Sequence, residues 1–181
     1  MAYAGGMQIL PALLRGQLCL ALIDPDLGHA WLMEPLALLA LKGPVRVIDG
    51  GNRFDAYRLA RALRWQGIDP AAVLGRVAIS RAFTCHQLAC SLAQDVAPPF
   101  PLVVLDFLAT FQDENVPLHE RQRLFEACLV RLREVAGRAP LLVTARTGQT
   151  AFSEALSHAA DRVLRRETRS RPRALPLFGE V

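Results

Sequence analysis

The chain has 181 residues, of which 52% are hydrophobic and 21% charged, with a formal net charge of +4. That length suits one domain with a substantial core and is short for two, and the composition excludes an intrinsically disordered chain. No apolar stretch has the length of a membrane span: Leu32 to Leu41 is too short and carries Glu34 and Pro35. The opening Met1-Ala2-Tyr3-Ala4-Gly5-Gly6 has no basic segment of the kind that leads a secretory signal, so a cytoplasmic protein with no membrane partner is expected.

Strand and helix patterns alternate along the chain. Leu18 to Ile23 reads as a buried strand, and His29 to Leu41 as a helix with Pro35 as an irregularity. Val45 to Asp49 is a second strand, stopped by Gly50-Gly51. Asp55 caps a helix to about Gln66, which Gly67 ends. Val77 to Ala82 is a third strand, and Thr84 caps a helix to about Val96, before Pro98-Pro99. Leu102 to Leu108 is a fourth strand. A helix from about Leu118 to Ala136 carries Leu124, Cys128, Leu132 and Val135 along one stripe. Leu141 to Thr144 is a fifth strand, Ser153 caps a short helix to Ala160, and Arg162 to Leu164 reads as a last strand. Such strand–helix units imply a three-layer α/β fold, with a mostly parallel sheet, right-handed crossovers and ligands at the carboxyl ends of the strands.

The chemistry concentrates at two strand ends. Pro101-Leu102-Val103-Val104-Leu105-Asp106 is an apolar run closing on one carboxylate, the way a nucleotide-binding α/β domain presents Asp to a Mg²⁺-bound phosphate. The glycine-rich phosphate loop that should accompany it belongs after the first strand. The segment in that place is Ile23-Asp24-Pro25-Asp26-Leu27-Gly28-His29-Ala30, with one glycine, no lysine and no hydroxyl. Asp49 ends another strand and invites a carboxylate pair with Asp106, yet nothing supplies a nucleophile or a metal to go with it. Asp106 alone reads as a strand-end carboxylate satisfied by nearby backbone amides, and His29 as a polar residue at a helix start. Four cysteines show no CxxC spacing, and the cluster Cys85, His86 and Cys90 offers only one pair on a helix face, a weak zinc signal. Six arginines between Arg162 and Arg173 face a single acid, Glu167, and suit contact with a nucleic-acid backbone or an acidic partner. Leu175-Pro176-Leu177-Phe178 puts apolar residues on that tail, suited to docking in a partner's groove or to packing on the protein's own domain.

Three phrases resemble the ATPase core of RecA/RadA-type recombinases. Val47-Ile48-Asp49-Gly50-Gly51-Asn52-Arg53-Phe54, followed by Arg58-Leu59, is similar to the family's second strand and its Thr-Glu-Gly ending. Val77 to Phe83 with His86-Gln87 resembles the next strand, and Leu102 to Asp106, Arg121-Gln122 and Leu141 to Thr144 resemble the strand–loop–helix–strand after it. Gly6 to Gly16 resembles the lead-in to the phosphate loop, so the likeness covers roughly residues 4 to 165. It implies a RecA-like core over 1–165, a basic tail over 166–181, and a three-layer P-loop NTPase fold.

The departures from that family set the functional expectation. Laid over the phosphate loop without gaps, Ile23 takes the first glycine, His29 the lysine and Ala30 the hydroxyl residue, leaving Gly28 and His29 with Asp106 as a degenerate nucleotide site. Asp24 and Asp26 would repel a triphosphate and Pro25 removes an amide donor. The family's water-activating glutamate falls on Gly51, the residue after the strand carboxylate is Phe107, and the phosphate-sensing Asn-Gln falls on Ala145-Arg146. No catalytic residue, no metal and no cofactor are expected. The resemblance implies a pseudo-ATPase that accompanies a recombinase, polymerase or other repair protein as a homo- or hetero-oligomer. Arg146, Arg165, Arg166, Arg169, Arg171 and Arg173 are the candidates for DNA or partner contact. The alternatives are a weak ATP-binding or ATP-hydrolysing protein using His29 and Asp106, and a structural subunit without DNA contact.

Overall fold

A computed structural model describes residues 16–24, 29–94, 100–148 and 150–166. Within them β1 (Leu18–Ile23) leads through a 3-10 turn (His29–Leu32) into α1 (Met33–Lys42), then β2 (Val45–Asp49), α2 (Ala56–Trp65) and a short α3 (Ala71–Leu74). β3 (Val77–Arg81), α4 (Cys85–Ala93), β4 (Leu102–Leu105), a 3-10 segment (Phe107–Phe111), α5 (Leu118–Arg138), β5 (Leu141–Arg146), α6 (Ala151–Ala159) and β6 (Arg162–Arg166) complete the order.

The six strands form one sheet in the order β3-β2-β4-β5-β1-β6, and every recorded pairing is parallel. Strands buried on both faces divide their side chains between two cores by the two-residue period. Leu18, Leu20 and Leu22 of β1 enter one cluster and Cys19, Ala21 and Ile23 the other. The chain crosses the sheet in one direction from β1 through β2 to β3 and in the opposite direction from β3 through β4 and β5 to β6. With crossovers of one hand, the connecting helices must then lie on opposite faces. α1 and α2 pack on one face through Met33, Leu36, Ala37, Leu59 and Leu63, and α4, α5 and α6 on the other through Leu88, Cys128, Leu132 and Leu156. The order differs from the 3-2-1-4-5-6 of dinucleotide-binding folds, because β5 and β4 stand between β1 and β2.

Several boundaries differ from the sequence expectation for local reasons. β4 ends at Leu105: Asp106 turns into the left-handed region and the next five residues form a 3-10 helix, so no strand runs on to Leu108. Pro35 lies in the first turn of α1, where its missing N–H has no intrahelical partner to lose. α6 is capped by Thr150, not Ser153: Thr150 and Ser153 exchange side-chain-to-backbone hydrogen bonds as a capping box. On α5 it is Ala136 that is buried, with Val135 at the margin of the core. Asp55 and Thr84 cap α2 and α4 as expected, and β6 carries the fold through Arg166, one residue into the expected tail.

Phe107, which follows Asp106, is fully buried, with its ring 5.3 Å from Phe111 and 5.9 Å from Phe125, centroid to centroid. Phe152 of α6 closes the group at 4.9 Å from Phe125. Phe107→Ala is expected to lower stability by about 3–5 kcal/mol through lost burial and the cavity left behind. Urea unfolding checks it: the midpoint falls while the slope is unchanged.

Candidate functional site

In a parallel sheet a crevice opens at the carboxyl edge where neighbouring strands send their connections to opposite faces. β2 and β4 are such neighbours, and β1 and β5 are another pair. The residues leaving these ends are Asp49 and Gly50, Asp106, Asp24, and Arg146.

Asp49 is buried and wholly engaged by its own loop. Its Oδ1 accepts the Arg53 amide at 2.8 Å and its Oδ2 the Phe54 amide at 2.9 Å. The loop is tied to the sheet by the Gly50 amide donating to the Leu105 carbonyl at 2.8 Å, and Asn52 takes a positive φ of 54° to make the turn. Asp49 is therefore a loop-former and does not form a carboxylate pair with Asp106.

Asp106 has different partners. It is 3% exposed and left-handed, with φ 51° and ψ 50°, a conformation Asp tolerates better than most residues. Its amide donates to Thr144 Oγ1 of β5 at 2.9 Å. Its Oδ2 accepts from Arg53 Nε at 3.1 Å and lies 3.4 Å from Arg146 Nε. The carboxylate is thus satisfied by two guanidiniums, not by backbone amides as its sequence context suggests. Both arginines keep side-chain exposures of 35% and 40%, so they bridge the buried acid to solvent.

Gly51 completes the arrangement. A Cβ built there would stand 2.4 Å from Asp106 Oδ2 and 2.5 Å from its Cβ. The carboxylate occupies the space a side chain at 51 would need. Any side chain at 51 and Asp106 in this pose exclude one another. Among the described residues, Asn52 and Asp106 are the non-glycine positions with positive φ, and both belong to this site.

The other expected site residues are dispersed. His29 opens the 3-10 turn before α1, as expected of a polar residue at a helix start. Gly28, with Pro25 and Asp26, lies outside the described residues, as do Arg169, Arg171, Arg173 and the Leu175–Phe178 motif. Arg165 is exposed on the edge strand β6, which ends at Arg166. Arg146 ends β5 beside Ile23 and turns to Asp106. Arg53 is the site residue that sequence reasoning misses. It stands within the Val47–Phe54 phrase, yet nothing in its spacing says that it reaches the end of β4, 53 residues on.

The arrangement fits Mg²⁺·ATP poorly. Mg²⁺ demands near-octahedral oxygen ligands, and the two guanidiniums on Asp106 Oδ2 set positive charge beside the oxygen left to a metal, Oδ1. No group of three His, Cys, Asp or Glu among the described residues could hold a metal. In the Cys85–His86–Cys90 segment, Cys85 is buried, Cys90 is exposed, and His86 Nε2 points to Glu120 at 3.3 Å. Neither the protein-family models nor the curated proteins provide a match to the chain.

Two outcomes test this geometry. Asp106→Asn keeps a residue that tolerates the left-handed backbone and removes the charge, and should cost about 1–3 kcal/mol. Asp106→Ala should cost about 1–2 kcal/mol more through backbone strain, and Gly51→Ala should destabilise by a similar amount by pushing on Asp106. Chemical denaturation of the variants reads all three. Burial pushes the Cys19 and Cys85 thiols up and, with Cys85 nearby, raises Cys128 to about 12, which keeps them protonated and unreactive. Of these four cysteines only Cys90 is exposed, so native protein should give one fast-reacting thiol and Cys90→Ser none.

Proposed function

We propose that this protein is a non-catalytic, RecA-like pseudo-ATPase that serves as an accessory binding subunit in DNA repair or recombination. The observation that carries the reading is the Asp106 carboxylate held by Arg53 and Arg146 over Gly51. A nucleotide hydrolase needs that carboxylate for its metal, a base at position 51 for its water, and a cationic cradle for its phosphates. Here the first is taken by arginines and the second is filled by the first. The third carries acid and proline in its sequence.

The RecA-like part is supported by where the three phrases fall. Val47–Phe54 spans the end of β2 and its loop, Val77–Gln87 spans β3 and the start of α4, and Leu102–Thr144 spans β4, α5 and most of β5. The resembling strand ends converge on one edge of the sheet. A fold of this kind keeps helices and edge strands that can meet other subunits after its nucleotide chemistry is gone. The partners proposed are a recombinase, a polymerase or another repair protein, with DNA reached through exposed arginines.

Isothermal titration with Mg²⁺·ATP tests the central part. The expected result is no saturable heat at ATP concentrations up to about 1 mM, weaker than about −4 kcal/mol of binding free energy. Low-micromolar binding that is lost in Asp106→Ala would overturn it and restore the weak-ATPase reading.

A further inference from the structure

α2 carries a face that the nucleotide site does not use. At 3.6 residues per turn, Tyr57, Arg58, Arg61, Arg64 and Trp65 fall within about 120° of the helix circumference and about 12 Å of its length. Leu59, Ala60, Ala62 and Leu63 occupy the opposite arc and are buried. Tyr57 is 71% exposed and Trp65 68%. Large aromatic rings standing this far into solvent on one stripe mark a contact surface. The Arg61 guanidinium lies over the Trp65 ring, 5.2 Å from its centroid.

The charge of α2 itself is one-sided, with Glu34 of α1 lining the same pocket as Arg58, Arg61 and Trp65. α2 contains three arginines and no Asp, Glu or Lys. Arg58 pairs with Asp55 at the helix start, while Arg61 and Arg64 have no acidic partner among the described residues. α5 shows the ordinary solvated alternative: its Arg123 and Arg131 pair with Glu120 and Glu134 one turn away on the same helix. Protein interfaces gather Tyr, Trp and Arg as well, so the aromatic rings alone do not choose the occupant. The choice rests on charge: the rings are interleaved with guanidiniums on a helix that carries no acid, which suits a polyanion whose own rings can stack.

We infer that the solvent face of α2 binds single-stranded nucleic acid, with Tyr57 and Trp65 stacking on bases and Arg61 and Arg64 meeting phosphates. The inference rests on the DNA-contact part of the proposed function and assigns that contact to a surface. Stacking tolerates any base sequence, and arginine supplies both phosphate charge and a planar group for the ring.

The test uses the full chain and a fluorescein-labelled oligothymidylate of about 15 nucleotides, a length in the range such surfaces cover. Binding should quench tryptophan emission, and Trp65→Phe should abolish the quenching, because the chain's other tryptophan, Trp31, is buried. The double variant Tyr57→Ala/Trp65→Ala should weaken affinity at least about fivefold. Arg61→Gln and Arg64→Gln should each flatten the log affinity–log salt slope by about 0.7. All four positions are exposed, so circular dichroism should show unchanged folding. Unchanged affinity in the double variant would overturn the inference and move DNA contact to the arginines at 165–173, leaving the proposed function intact. No oligonucleotide binding would overturn it too, as would quenching by poly-glutamate alone, which would mark an acidic protein as the occupant. The Mg²⁺·ATP titration is independent of all three results.

Discussion

One carboxylate oxygen, Oδ2 of Asp106, receives two guanidiniums and rests against a residue that has no side chain. A carboxylate buried to this degree without partners would be destabilising by several kcal/mol, so the acid requires its arginines more than the arginines require it. The two cations come from different connections, Arg53 after β2 and Arg146 at the end of β5, and they draw those connections together above β4. The parts that hold the acid are fixed in turn. Thr144 takes the Asp106 amide, Asp49 shapes the loop bearing Arg53, and the Gly50 amide ties that loop to β4. Each contact alone is modest; together they set one edge of the sheet.

The consequence is a cation-bound carboxylate at a place where open parallel sheets hold ligands. A metal-binding acid works with its charge unspent, whereas this one already holds two cations of its own chain on Oδ2. A side chain at position 51 cannot coexist with it in this pose. Phe107, next in sequence, serves the core between the sheet and α5. The outer surface carries a second set of exposed groups. α2 presents aromatic rings and arginines, and β6 presents Arg162 and Arg165 at the sheet edge.

Much of this fold was legible in the sequence because burial on two faces leaves a plain trace. The apolar run Leu18–Ile23 and the Gly50-Gly51 stop after Val45–Asp49 gave both strands their observed bounds. Local rules were less decisive where two residues could perform the same task. Ser153 looked like a cap, but Thr150 holds the extended backbone that capping needs and uses Ser153 as its reciprocal partner. The one-turn α3, Ala71–Leu74, is too short to leave a periodic signal. At the site, the sequence located Asp106 and Arg146 but not their pairing. Leu102–Leu108 reads as unbroken strand, and no propensity announces the left-handed turn at Asp106 that brings its carboxylate over Gly51. Arg53 was invisible for the same reason, since its role depends on a contact 53 residues away.

Paramagnetic broadening tests the central claim most directly. Mn²⁺·ATP, in which Mn²⁺ stands in for Mg²⁺, is added to ¹⁵N-labelled protein while the amides of residues 50–53, 106 and 144–147 are followed. The account predicts no selective loss of those signals, because the two guanidiniums that Asp106 holds on Oδ2 repel a metal ion from the carboxylate. Selective, saturable broadening centred on Asp106 and Gly51, reversed by excess Mg²⁺·ATP, would contradict it.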